Sequence, residues 1–428
     1  MTRWGRILVA AALPVLGAAC VSNTKVYDDS VRAAQAATAA NPTSEQVQAD
    51  TTAQARATLS QYQVASLSPG QRPATDSLEG GLWMQIDRAE GKVRTAGNRI
   101  NDPALNAYVN GVVCRVALTY CDNIRTYIVR QPYFNASMSP NGMMQIWSGL
   151  LLRARNEAQL AAVIGHEIGH YLRRHSLQQF KRIRDATNGL VFFQIITAMA
   201  GVGVVGDIAA LATIGGILSY SRDAEREADG YGLVLMGRAG YDPHEAAKIW
   251  AIVKSEVDAE QDEESNDSRF ASTHPPTEER QAELTRLAPV VEVTPAGDPL
   301  GRDNYLAALR AYRTSFMRDE IKRGTFKPTK AVFDGLLEDG YWPALTHYMI
   351  GELYRTRCKD GDNDEALAAY ERALSADDPP PETHRALGLM HRKAGERDKA
   401  RAAFTRYLEL APEAKDAQMI RFMIQGAS

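Results

Sequence analysis

The chain has 428 residues, 45% of them hydrophobic and 24% charged, with a formal net charge of -3. That length suggests two or three domains. The balance of charge excludes the broad basic surface that nucleic-acid binding needs, so no nucleic-acid partner is expected.

Met1 to Ala19 reads as an export signal, with Arg3 and Arg6 ahead of a short apolar core, Ile7 to Leu16. That core is too short to span a bilayer. Gly17-Ala18-Ala19 leads into Cys20, which resembles the lipobox of bacterial lipoproteins, although Leu16 sits one place further back than usual. Cys20 is the lipidation candidate, and an acyl-bearing terminus would tie the protein to a membrane. Simple cleavage and a free thiol is the alternative. Residues 1–20 are thus a signal with a lipobox-like cysteine. Residues 21–75, rich in Ala, Thr, Gln and Ser, read as a low-complexity tether with one weak helix.

Helices are expected over Leu78 to Val93 and Pro103 to Leu118, the second with Pro103 in its first turn after Asp102. Ile124 to Arg130 and Met143 to Trp147 alternate like strands. Cys114 and Cys121 either close a small loop across a helix end or remain two buried thiols; pairing cannot be read from spacing.

Asn156, followed three residues later by Gln159, opens a helix, and Leu160, Val163, Ile164 and Ile168 continue it at helical spacing. On it His166 and His170 stand one turn apart on one face, so two imidazoles can grip one metal ion. Glu167 lies beside the first. This is the H-E-x-x-H arrangement, with two zinc ligands and a general base. In zincins an edge strand beside the metal pairs with extended substrate. Met143, Met144, Gln145, Ile146 and Trp147 are therefore the substrate-strand candidates, or else a strand that only supports the active helix.

Leu190 to Leu218 is the most apolar stretch, but Asp207 and Gly201, Gly203 and Gly206 interrupt it. A charge there is costly in lipid. Two short helices fit better, either as a buried hairpin, a cap on the cleft, or a segment that dips into a membrane surface. A helix from Ser221 to about Met236 then carries Glu225 and Asp229 one turn apart. Glu225 completes a two-His, one-Glu zinc site with an open fourth position, and Asp229 can orient a ligating histidine. Tyr241 to Val257 is a further helix with Asp242 as its cap. Glu256 to Asp267, with seven acids and no base, reads as a solvated loop. It leads to Ser272-Thr273-His274-Pro275-Pro276, where a helix through Arg280 and Leu284 begins. His274 is a gating or transition-state candidate. It either occupies the open metal position at rest, or hydrogen-bonds the oxyanion, or merely starts a helix.

Taken together, His166-Glu167-x-x-His170 and Glu225-x-x-x-Asp229 resemble the zinc metallopeptidase family of the CaaX prenyl proteases, the HtpX proteases and the BepA-type proteases. The likeness extends through Asn135-Ala136, Gly142, Gly149-Leu150-Leu151 and His274-Pro275, roughly residues 80 to 290. It implies a zinc endopeptidase with one Zn2+ per chain, Glu167 as base and Glu225 as third ligand. Ser137 to Asn141 departs from the family's more glycine-rich loop, which bears on the shape of the cleft.

Past a Pro-containing linker, Val290 to Pro299, helix pairs follow. Ala366, Tyr370 and Leu374 recur as Ala400, Phe404 and Leu408, each displaced by 34 residues, with Leu387-Gly388, Gly395 and Pro412 where the tetratricopeptide pattern wants them. Gly351 and Tyr354 fit only with three extra residues around Asp360 to Asn363, and Ala331 and Pro343 hint at a degenerate third unit. Such repeats stack and present a concave face to protein partners.

The expected architecture is α+β, mainly α: a zincin-like peptidase domain at 76–292, then an α-helical repeat solenoid at 300–428. By resemblance the chain is an exported, lipid-anchored endopeptidase on the periplasmic side of a bacterial envelope. Its partners would be protein or peptide substrates, envelope assembly proteins at the repeats, and the membrane at Cys20. The rival class is a repeat-based chaperone or scaffold with a latent or structural zinc site. An intact Glu167 argues against it, since a structural site needs no base.

Overall fold

The structure, a computed structural model, describes residues 44–62, 65–186, 220–262, 274 and 277–425. The export signal, Cys20 and Leu190 to Leu218 lie outside the described residues. The chain divides into two compact units, Met1–Gln54 and Ala55–Ser428. No helix among the described residues is long and apolar enough to cross a membrane.

Helix α1 (Ser44–Ser60) runs into the larger unit. There Ala55, Leu59 and Leu67 are buried in the main core, and the Ser66 amide donates to the Leu172 carbonyl. Ala55, Leu59 and Leu67, inside the stretch expected to be a tether, are thus packed against the peptidase-domain core. α2 (Leu78–Thr95) starts where the Ser77 hydroxyl accepts from the Gly80 amide, and α3 (Pro103–Ala117) where Asp102 accepts from Leu105 at 2.8 Å. Both are cap geometries that satisfy an otherwise orphaned amide. Cys114, in the last turn of α3, is bonded to Cys121 in the following 3-10 turn, which resolves the open pairing; Cys358 is free and exposed.

Strands β1 (Arg125–Val129), β2 (Ala136–Met138) and β3 (Met143–Trp147) form one sheet in the order β1-β3-β2. β3 is parallel to β1 and antiparallel to β2. This corrects the expectation for Met143 to Trp147. Both edges of β3 are already paired, so its backbone has no free ladder to offer a substrate. Alternation of side chains reveals a strand, but which strands flank it is decided by tertiary pairing. The strand beside the helix that carries His166 and His170 is β2, at the edge of the sheet.

α4 (Ser148–Arg153) leads to α5 (Glu157–Leu172), every residue of which is buried. The Asn156 side chain caps α5 by accepting from the Gln159 backbone amide at 2.8 Å, while the Gln159 side-chain Oε1 accepts from the Arg155 backbone amide at 2.8 Å. The two side-chain amides then donate to one carboxylate oxygen of Glu245, each at 2.8 Å. Helices α6 (His175–Ala186), α7 (Arg222–Arg238) and α8 (His244–Asp262) pack against α5, and α9 (Glu278–Leu287) packs on α7 and α8.

α8 continues well into the acidic run, so its first half is not a solvated loop. Glu256 and Glu260 are buried because two arginines meet them. Arg153 reaches Glu256 at 2.5 Å and Glu320 at 3.0 Å, and Arg323 reaches Glu256, Glu320 and Glu260 at 2.7, 2.6 and 3.2 Å. Burial alone would lower the Arg153 pKa, but Glu256 and Glu320 more than offset it and hold the guanidinium above its usual value. Removing one partner from such a buried cluster costs about 3–5 kcal/mol, because the remaining charges stay desolvated.

Glu320 lies on α11 (Arg313–Ile321) and Arg323 in the turn before α12 (Phe326–Glu338); with α10 (Arg302–Leu309) these are the first of the C-terminal helices. Tyr305 on α10 donates to the Leu151 carbonyl at 2.7 Å, and Arg155 pairs with Asp339 at 2.7 Å. These helices thus complete the core behind α4 and α5. Beyond them, α13 (Pro343–Arg357) pairs with α14 (Asp362–Ser375), α15 (Pro381–Lys393) with α16 (Arg397–Leu410), and α17 (Ala417–Gln425) closes the row. The repeat is visible in packing. The Tyr370 ring sits over Gly351 and the Phe404 ring over Gly388, where a Cβ would lie 2.4 and 2.5 Å from the ring atoms. The aromatics are 34 residues apart and the glycines 37, the three-residue insertion expected between the units.

Candidate metal centre

The site is assembled from α5, α7 and the start of α9. Gly165 and Gly169 allow α5 and α7 to meet backbone to backbone. A Cβ on Gly169 would lie 2.9 Å from the Ala228 carbonyl oxygen, and one on Gly165 would lie 3.0 Å from that of Gly232. This close approach carries Glu225, one turn into α7, onto the face of α5 that holds His166 and His170. Ser221 caps α7 by accepting from the Ala224 amide.

Ligand atoms from His166, His170, Glu225 and His274 all lie within 4.8 Å of one another, and all four residues are buried. His166 Nε2 is 3.1 Å from His170 Nε2 and 3.1 Å from His274 Nδ1. Glu225 stands 3.6 Å from His166 Nε2, 3.4 Å from His170 Nε2 and 3.0 Å from His274 Nδ1. Imidazole nitrogens that face one another at such a distance repel unless a cation or proton lies between them. Two ligands of a tetrahedral zinc, with bonds of about 2.0–2.1 Å, stand roughly 3.3 Å apart. The donor set fits such an ion.

The groups behind the cluster orient it. His166 Nδ1 contacts Asp229 Oδ1 at 2.8 Å, which leaves Nε2 to face the cluster. Arg280 grips Asp229 with two hydrogen bonds of 2.8 and 2.7 Å, reaches Glu225 at 2.8 Å, and lies over the Trp250 ring. Burial would raise Asp229, but Arg280 outweighs it and keeps the carboxyl ionised. Burial likewise opposes ionisation of Glu225, yet His274, His170 and His166 hold it well below the usual carboxylate range. Burial pushes His170 well below the usual imidazole pKa, toward the neutral form that ligates metals.

Glu167 differs from the other carboxylates. Its Oε1 is buried without a hydrogen-bond partner among the described residues, and it lies 3.7 Å from His274 Nε2. The Met138 amide at the end of β2 hydrogen-bonds Glu167, while burial, reinforced by Glu225, raises its pKa. A buried carboxylate with a spare lone pair beside a metal cluster is suited to taking a proton from water.

Of the residues singled out from the sequence, the structure brings together His166, Glu167, His170, Glu225, Asp229 and His274. Met143 to Trp147 instead lie in the middle of the sheet. Sequence reasoning passed over Arg280, Trp250, Tyr220 and His175 as members of the site. Tyr220 stacks on His170 with ring centres 4.0 Å apart, and Trp250 meets His166 edge-on at 5.4 Å. Arg280 had one available signal, its place one turn into the helix that follows His274. An arginine in a first turn carries no such meaning by itself.

Residues 99–288 match the profile of peptidase family M48, and residues 346–382 and 381–414 match tetratricopeptide-repeat profiles. The chain is 32% identical over 190 residues to the mitochondrial metalloendopeptidase OMA1 of Schizosaccharomyces pombe, covering 44% of this chain and 54% of that protein. It is 27% identical over 278 residues to the beta-barrel assembly-enhancing protease of Escherichia coli K12, covering 60% and 56%. With OMA1 of Arabidopsis thaliana it shares 34% over 167 residues, covering 39% and 31%. The matched region thus spans about half or less of these relatives' length. The chain carries a peptidase family M48 metallopeptidase domain followed by tetratricopeptide repeats.

Proposed function

We propose that this chain, with its M48 peptidase domain and C-terminal repeats, is an exported zinc endopeptidase that acts in quality control or assembly of envelope proteins. The observation that carries the reading is Glu167, a buried carboxylate with an unused oxygen beside His166, His170 and Glu225. A structural zinc site in a scaffold protein has no need of such a group. His166, His170 and Glu225 would hold the zinc. When bound, the metal supplies Lewis acidity toward a carbonyl oxygen and a water. Glu167 takes the proton of the attacking water and passes it to the leaving amine. Asp229 and Arg280 keep His166 and Glu225 in place. The outer edge of β2, beside Glu167 and paired with no strand among the described residues, is the place for an extended substrate.

The test is chelation. The purified protein should contain one zinc per chain and cleave an unfolded protein substrate. A chelator should stop cleavage and added zinc should restore it. Cleavage that persists after the metal has been stripped would remove the metallopeptidase reading.

His274 has two possible roles here, as a resting fourth ligand that withdraws for substrate or as a donor to the oxyanion. His274→Ala separates them. A resting ligand predicts weaker zinc retention with activity unchanged or higher. An oxyanion donor predicts full zinc and a kcat lower by roughly 10²–10³-fold. Unchanged zinc affinity together with unchanged turnover would take His274 out of the mechanism.

The envelope setting is supported by the names of the relatives in bacteria, by the Cys114–Cys121 bond, which suits an oxidising compartment, and by the lipobox-like Cys20. Cys20→Ala should move the protein from the membrane fraction to the soluble one; retention on the membrane would exclude a lipid anchor at that residue. Residues 76–292 and 300–428 are proposed as a division of labour, chemistry in the first and protein partners in the second. They share one packed core and are not offered as separate folding units.

A further inference from the structure

His175 is not among the clustered ligand residues, yet it is almost completely buried against one of them, His170. Its Nδ1 lies 2.9 Å from His170 Nδ1, and its Nε2 lies 2.9 Å from Glu227 Oε2. Glu227 is in turn paired with Arg173 at 2.7 Å. Two aromatic nitrogens at 2.9 Å share one proton, so one ring donates and the other accepts. For His170 to turn an Nε2 lone pair toward the cluster, its ring proton must be on Nδ1. His175 must then accept at Nδ1 and carry its own proton on Nε2. That proton points at Oε2 of Glu227, a carboxylate oxygen that accepts it. The direction of every bond in the chain is set from the carboxylate inward.

The backbone supports a built contact. Arg174, between α5 and α6, has φ 58, in the left-handed region. A non-glycine residue there is held against its own backbone preference. The turn it makes folds the start of α6 back so that His175 faces His170. The opposite ligand, His166, needs no such intermediary, because Asp229 meets its Nδ1 directly.

We propose that His175 is the positioning residue for the ligand His170, relaying Glu227 to it and fixing both its tautomer and its ring plane. The inference rests on the zinc-peptidase reading, and its test uses zinc(II) binding rather than turnover. Zinc affinity of the full chain is measured by competition with a chromophoric chelator. His175→Leu keeps bulk but can neither accept nor donate, and it should weaken zinc by roughly 10–100-fold, the usual cost of losing a contact behind a ligand. His175→Gln offers an acceptor and a donor about as far apart as the two ring nitrogens, and should recover most of the loss. A folded His175→Leu chain with wild-type affinity overturns the proposal, as does a folded His175→Gln chain no better than Leu. Should the leucine variant not fold, nitrogen-15 NMR of the zinc-loaded wild type decides. The expected pattern is a protonated Nδ1 on His170 and an unprotonated Nδ1 on His175, and the reverse overturns the relay. A wild-type chain that binds no zinc sinks the peptidase reading itself, and the relay with it.

Discussion

Glu167→Gln should abolish cleavage of an unfolded protein substrate while the chain keeps one zinc. Glutamine has nearly the shape of glutamate, so the Met138 amide still has an oxygen to donate to and α5 keeps its packing. An amide cannot take a proton from water, however. Loss of a positioned general base lowers turnover by roughly 10²–10⁴-fold. Among the described residues the neighbouring carboxylates, Glu225 and Asp229, are already engaged by His274, His166 and Arg280, so neither is available to take over. The assay pairs metal analysis with substrate cleavage. Wild-type turnover in this variant would mean that a different group activates the water.

Glu225→Ala should fail in the other way, by losing the metal. The carboxylate is the one anionic donor in the cluster, and it also neutralises part of the Arg280 charge that points at the same space. Its removal leaves the imidazoles facing a buried guanidinium with no carboxylate between, an arrangement that repels a divalent cation. Zinc affinity should fall by more than the roughly 10–100-fold that loss of a supporting contact costs. His166→Ala should behave alike. Zinc binding and unfolding midpoint measured together separate loss of a ligand from loss of the fold. A folded Glu225→Ala chain that retains full zinc would assign the third ligand elsewhere.

The contrast between these two carboxylates marks how far sequence reasoning reaches. His166, Glu167 and His170 were legible because their relation is local: helical periodicity alone puts two imidazoles on one face. The same holds for Glu225 and Asp229, for the caps at Asp102 and Asn156, and for the 34-residue repeat. Each depends on contacts within a few turns of chain.

Other features depend on which distant segments meet. Met143 to Trp147 were visible as a strand, but their central position between β1 and β2 was not, and with it went the choice of substrate edge. Glu256 reads as part of a solvated acidic run until Arg153 and Arg323, brought from opposite sides, make its burial favourable. The spacing of Cys114 and Cys121 permitted a bond without requiring one.

The sequence by itself determined that two imidazoles and a carboxylate stand together within one turn, because that relation is a property of a single helix. Only the tertiary structure decided how those groups are held. Arg280, His175 and the helices after residue 300 act through contacts between segments far apart in the chain, and burial gives those contacts their strength by removing the water that would otherwise screen them.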